Sequence, residues 1–275
     1  MSDDSVVVRR NVNWLEEFGK VYSHPAVVFF RGLEARAISE TLGNFKLFRP
    51  LLDLGCGEGR VGQVLFESQI DVGLDNSEGD LEKAAKVSKY LKLTLGDARN
   101  LPLESGSFRT VFSNCVVEHI PEIDLVLQEV SRVLKTGGFF IFTVPSEKFG
   151  KFLWGYQFLA TLGLPAWAEK YSTLRNKQLS HFHTYSPETW QTYLDRDGLS
   201  IVECRRYVSS KSLSLWDRLA WVVFWLKLLT LNLTGEFWEK RVRRWSAPIL
   251  QRAYAEESQT IKEGGAALLI VARKI

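Results

Sequence analysis

The sequence predicts one doubly wound α/β domain, and three observations predict it. Between Pro50 and Ser146 short apolar runs alternate with helical patterns. The runs are apolar on consecutive residues, as strands covered on both faces require. A glycine-rich turn, Asp53-Leu54-Gly55-Cys56-Gly57-Glu58-Gly59, joins the first run to the first helix of the alternation. With 275 residues and 45% hydrophobic content, the chain can bury one large core. It therefore reads as a single domain over 1–275.

Taken in order, residues 1–45 form an N-terminal helical segment. Pro50–Leu54, Ile70–Leu74, Leu91–Leu95, Thr110–Ser113 and Phe139–Val144 read as strands. Arg60–Ser68, Glu78–Val87 and Ile123–Leu134 read as the helices between them. Lys148–Leu179 is rich in aromatics and reads as helical. Ser186-Pro187-Glu188 starts a helix, with a serine cap and proline at the first helical position, and Gly198 ends it. Leu199–Arg205 is a strand. Leu213–Leu233 and Glu236–Glu257 read as long helices, and Ala266–Arg273 as the last strand. Residues 147–185 and 207–263 are thus helical insertions that form a lid.

Composition excludes several classes. A net charge of +3 does not call for nucleic acid. Cys56, Cys115 and Cys204 are scattered, with no CxxC pair, so neither a zinc site nor a disulfide framework is expected. A reduced, cytoplasmic setting follows. The opening MSDDSVVVRRNVNW lacks the pattern of a signal peptide. The longest apolar stretch, Leu219–Leu231, is interrupted by Lys227 and is too short to span a bilayer.

Four features sit at successive strand ends. The glycine turn lets the backbone approach a ligand that side chains would block. Asp75, about 20 residues further on, can accept from both hydroxyls of a ribose. Asp97, in Gly96-Asp97-Ala98, can accept from an exocyclic amine such as that of adenine. Ser113-Asn114-Cys115 leaves the fourth strand. Gly57-Glu58-Gly59-Arg60-Val61-Gly62 also fits the dinucleotide pattern GxGxxG, with Asp75 as its acidic partner. That pattern normally opens the loop, however, whereas Asp53 and Gly55 precede it here. Glu58 also puts a negative charge where a pyrophosphate would lie.

Together these residues, with the stretch NCVVEHIPEIDLVLQEVSRVLKTGGFFIFTVPS, resemble the class I S-adenosylmethionine (SAM)-dependent methyltransferases, in particular the small-molecule, type 11-like group. The resemblance is strong from Pro50 to Ser146. It implies a Rossmann-like, seven-stranded, mostly parallel sheet whose last strand is antiparallel. It implies SAM as cofactor, held by the loop Asp53, Gly55, Cys56, Gly57 and Gly59 at the methionine part and by Asp75 at the ribose. Asn76, Asp97 and Ala98 would hold the adenine, and Asn114, Cys115 and Val116 would run beneath the sulfonium. Some quinone-type relatives bind a metal through an acid near their Glu-His pair. Cys115 stands at that acid's place here, so the resemblance implies no metal.

Methyl transfer from a sulfonium is an in-line displacement that positioning alone can accelerate. A base helps if the acceptor keeps its proton. His119, after the fourth strand, is the first candidate for that base, and it could equally pack on the cofactor or cap the following helix. His181 is the second, as a wall of the acceptor pocket. His181, His183 and Tyr185 would share one side of an extended segment, with His183 more suited to a structural role. Trp154, Trp167, Trp216, Trp221, Trp225 and Trp238 crowd the insertions. These could form a lid packed on the sheet, a large hydrophobic acceptor pocket, or a peripheral membrane contact through 213–245, where Lys240, Arg241, Arg243 and Arg244 lie beside Trp238 and Trp245. The expected partner is a small hydrophobic or lipid-like acceptor, methylated at O, N or C. The alternatives are a SAM fold with other chemistry, such as decarboxylation or aminopropyl transfer, and a non-catalytic SAM-binding partner protein.

Overall fold

The computed structural model describes residues 4–230, 236–260 and 264–275, without the side chains of 258–260. Its centre is a seven-stranded sheet in the order β3-β2-β1-β4-β5-β7-β6. The strands are β1 Leu51–Leu54, β2 Ile70–Asp75, β3 Tyr90–Leu95, β4 Phe108–Asn114, β5 Leu134–Pro145, β6 Leu199–Tyr207 and β7 Ala267–Lys274. β1 to β5 are parallel; β7 runs antiparallel between β5 and β6. All four residues of β1 are buried, as expected for a central strand covered on both faces.

Helices cover both faces. Those described are α1 Trp14–Val21, α2 Pro25–Leu42, α3 Arg60–Leu65, α4 Glu78–Ala85, α5 Ile123–Val133, α6 Phe149–Phe152, α7 Trp154–Thr161, α8 Pro165–Gln178, α9 Pro187–Arg196, α10 Ser210–Leu229 and α11 Phe237–Thr260. One core layer joins α1, α2, α10 and α11 to the sheet; the other joins α5 and α9 to it. Val126, Leu127, Val130 and Val133 of α5 are fully buried, the apolar stripe of an amphipathic helix. Ser186 caps α9 by accepting from the Thr189 amide, and Pro187 opens the helix.

Several boundaries differ from the sequence reading. The N-terminal segment is helical only from Trp14: Ser5 bridges Phe48 and Val8 bridges Phe66, and Val6 and Val8 are buried beside the sheet. β5 starts at Leu134 rather than Phe139, because Leu134 pairs with Phe108 across an irregularity in the register. Lys148–Leu179 divides into three helices, interrupted by the extended Leu153 and the left-handed Gly163. α3 and α4 end earlier than the patterns suggest. The end of the expected helix Leu213–Leu233 lies partly outside the described residues. No helix among the described residues is long and apolar enough to cross a membrane.

Candidate functional site

The carboxyl ends of β1, β2, β3 and β4 converge on a cavity of about 350 Å3. The turn after β1 builds one wall. The amides of Gly55 and Cys56 both donate to the Leu74 carbonyl, at 2.8 and 3.0 Å, which ties the turn to β2. Gly55 has φ +76°, and a Cβ there would lie 2.4 Å from a Val116 methyl. Only glycine lets the loop after β4 approach so closely. Gly57 has φ +51°, and a Cβ there would point into open space.

Asp75 closes the end of β2. Its Oδ2 accepts from the Gly57 amide at 2.7 Å and its Oδ1 from the Ser77 amide at 2.9 Å. Each carboxylate oxygen keeps a lone pair for a further donor. Asn76, Asp97, Ala98, Cys115, Val116 and His119 complete the wall with Gly55. Asp97 accepts from the Arg99 side chain at 2.6 and 3.0 Å, and those bonds hold its carboxyl below the usual range.

Asp53, Cys56, Gly57, Gly59 and Asn114 do not line this cavity. Asp53 is buried, accepts from the Tyr90 hydroxyl at 2.7 Å, and is pushed up to about 7 by burial. Asn114 is spent within the protein: its Oδ1 accepts from Arg31 at 2.9 Å and its Nδ2 donates to Thr143 Oγ1. Burial also pushes the Cys56 thiol up.

A second cavity, of about 410 Å3, adjoins the first and shares Cys115 and His119 with it. Val27 and Phe30 of α2, Val144 and Pro145 of β5, Phe149 of α6, Leu179 at the end of α8, and Trp216 of α10 give it an apolar body. Its polar lining is Arg31, Glu118, His119, Gln178, His181 and Tyr207. The structure therefore brings His119 and His181 together from distant segments, with ring centroids 5.5 Å apart.

Glu118 and His119 lie on a 3-10 turn, Val117–His119, after β4. The Glu118 side chain is buried, Oε2 has no hydrogen-bond partner, and burial pushes its carboxyl up to about 8. His181 packs on Phe149 at 5.0 Å between centroids; burial, then the neighbouring His119 and Arg175, push it down to about 4. His183 and Tyr185 do not share its side. The two bond to each other at 2.9 Å and pack on Trp190, and His183 Nε2 reaches the Ile120 carbonyl at 2.8 Å. Between the two histidines, the Phe182 amide donates to the Glu118 carbonyl.

Sequence reasoning missed the polar layer behind the second cavity. Glu34 of α2 is fully buried and accepts from Tyr207 at 2.8 Å, Arg31 at 2.5 Å and the Cys115 thiol at 3.2 Å. Burial drives its carboxyl up, yet the Arg31 guanidinium overrides that and leaves it lowered. The charged i,i+3 pair Arg31 and Glu34, within a run of apolar residues on α2, was the available signal.

Residues 49–198 match the family model described as a methyltransferase domain. A demethylmenaquinone methyltransferase of Symbiobacterium thermophilum is 33% identical over 120 residues, 38% of this chain and 47% of that protein. A sterol 24-C-methyltransferase of Aspergillus fumigatus is 33% identical over 98 residues, 33% of this chain and 26% of that protein. The chain thus spans less than half the length of either relative. The solved structure of a SAM-dependent methyltransferase from Thermotoga maritima superposes with a TM-score of 0.55 at 16% identity, over 95% of this chain and 96% of that one. It shares the fold.

Proposed function

The chain belongs to the class I SAM-dependent methyltransferases, and from that premise we propose that it methylates a small, largely apolar, lipid-like acceptor held in the second cavity. One observation carries this reading: a chamber with apolar walls and a few polar groups, Glu118, His119 and His181 among them, opens beside the cofactor cavity, and the two share Cys115 and His119. An acceptor with an apolar body and one polar atom fits it.

The cofactor cavity suits SAM on the protein's own geometry. Asp75 retains acceptor capacity for two ribose hydroxyls, and Asp97 and Ala98 line the far end for adenine. The open space at Gly57 leaves room along the turn for the methionine part. SAM supplies an activated methyl on a sulfonium. The protein excludes water with Phe149, Leu179 and Trp216, orients the acceptor along the apolar walls, and meets its reacting atom with Glu118, His119 and His181. His119 and His181 handle the acceptor's proton; the low position of His181 keeps it neutral near pH 7. Relatives named for quinone and sterol substrates support an apolar acceptor.

A peripheral membrane contact accompanies this reading. Leu213, Leu219 and Val223 turn α10 into the core, while Phe224, Trp225, Leu228 and Leu229 remain exposed. Trp245 is exposed on α11, where Arg241 and Arg244 also lie. Such a surface suits an anionic bilayer from which an apolar acceptor could enter. With all three cysteines free, the reading places the enzyme at the cytoplasmic side. The test incubates the protein with methyl-labelled SAM and a cell lipid extract. Label in the organic phase supports the reading; label confined to water-soluble products overturns it.

A further inference from the structure

The polar end of the acceptor cavity contains a convergence that hydrogen bonding leaves open. His119 Nδ1 lies 3.0 Å from the Ser180 carbonyl, and His181 Nδ1 lies 3.1 Å from Asn176 Oδ1. A carbonyl oxygen can only accept, so each ring carries its proton on Nδ1 and keeps a lone pair on Nε2. Neither Nε2 has a hydrogen-bond partner among the described residues. His119 Nε2 is 3.7 Å from Glu118 Oε1, beyond a hydrogen bond. Glu118 is 1% exposed, and its Oε2 is unpartnered. One ligand atom from each of the three side chains lies within 4.8 Å of the others.

We propose that Glu118, His119 and His181 form a divalent-cation site of the zinc type at the polar end of the acceptor cavity. This rests on the methyltransferase reading and deepens it by naming the acceptor as a hydroxyl-bearing apolar molecule. Two imidazoles and one carboxylate are the donor set of an open zinc site, in which a further position remains for water or substrate. Ligand atoms around a tetrahedral ion with bonds of about 2.0–2.1 Å stand roughly 3.3 Å apart. Small side-chain rotations close the present spacing. Each histidine already has the oxygen partner on its other nitrogen that metal-bound histidines require. The third ligand comes from a segment far along the chain, so Cys115 is not needed. It is engaged instead with Glu34 and Arg31.

The open position faces the cavity that Glu118, His119 and His181 all line. An acceptor hydroxyl bound there is acidified, and its proton leaves to water, as for metal-bound water. The oxygen then forms its bond to the methyl carbon while the carbon–sulfur bond breaks. The electron pair stays on sulfur, which becomes a neutral thioether. His119 and His181 thus handle the acceptor's proton by holding the ion that releases it.

The test uses the full chain, freed of metal with a chelator and titrated with Co2+ alone, following the visible absorption of the bound ion. One Co2+ per chain, displaced by Zn2+, is expected. Affinity should fall about tenfold or more in His181→Ala and in Glu118→Gln, and should persist in Cys115→Ser, each checked for folding by near-ultraviolet circular dichroism. No absorption with the wild-type chain overturns the proposal, as does a spectrum that His181→Ala leaves unchanged or that Cys115→Ser removes. Calorimetry with SAM on the same samples separates the two readings: SAM binding without Co2+ binding overturns only the metal site, whereas absent SAM binding overturns the methyltransferase reading.

Discussion

Alanine at Gly57 and at Gly55 should separate cofactor space from packing space. Both glycines have left-handed φ, +51° and +76°. An L residue there costs about 1–2 kcal/mol. At Gly55 the new Cβ would also lie 2.4 and 2.6 Å from the two Val116 methyls. Overpacking of that kind adds about 1–3 kcal/mol. Gly55→Ala should therefore destabilise the fold by about 2–5 kcal/mol, and Gly57→Ala by about 1–2 kcal/mol. The Cβ at Gly57 meets nothing within 4 Å, so alanine there adds no packing clash. With the methionine part of SAM running along this turn, as proposed, the new methyl costs about 1–3 kcal/mol of binding and raises the SAM Kd by roughly 5–150-fold. Urea unfolding gives the stabilities and calorimetry the affinities. Wild-type SAM affinity in Gly57→Ala would take the methionine part away from this turn, and equal stability loss in the two variants would remove the packing difference between the two glycines.

Three other perturbations probe separate parts of the site. Asp75→Ala should cost about 1.5–3 kcal/mol of SAM binding, the scale of a charged hydrogen bond; unchanged affinity in a folded variant would move the ribose elsewhere. On a hydroxyl acceptor, His119→Ala should lower kcat by about 10²–10⁴-fold with little change in SAM affinity; wild-type turnover would remove this residue from the reaction. Burial pushes the Glu118 carboxyl up to about 8 in the fold, against 4.5 for a free glutamate. The unfolded chain therefore releases that proton first, and the group's contribution to stability is lost as pH rises from about 4.5 to about 8, then levels. Measured by urea unfolding in the presence of chelator, Glu118→Gln should gain stability relative to the wild type between pH 5 and pH 8.5; an offset independent of pH would contradict a buried, protonated carboxyl.

The parallel strands were legible because burial on both faces leaves unbroken apolar runs, as in the Leu51-Leu52 start of β1 and in Phe139–Val144. The start of β5 was not, because Lys135, Thr136, Gly137 and Gly138 carry no hydropathy signal and Leu134 joins the sheet only through Phe108. That Gly55, Asp75, Asn76, Asp97 and Ala98 come together around one cavity was legible because each residue lies at a strand exit, where local order fixes position. The acceptor end was less so. Glu34 meets Tyr207 across 173 positions, and His119 meets the Ser180 carbonyl across 61. Long-range pairings of that kind leave no local periodicity. Along α10, Trp216 lines the second cavity, Leu219 and Val223 are core, and Trp225 and Leu229 are exposed.

On the proposed function, the chamber beside the cofactor cavity receives the methyl acceptor. Val27 is a half-buried residue of that chamber on α2, away from the cofactor wall. Val27→Trp would fill the chamber with an indole. The direct measurement is transfer of labelled methyl from SAM into the organic phase by this variant, with SAM affinity taken on the same sample. The account predicts SAM affinity within about twofold of the wild type, and transfer reduced by at least about 100-fold, the scale on which a misplaced acceptor slows reaction. Wild-type transfer with the chamber filled would place the acceptor elsewhere and contradict the account.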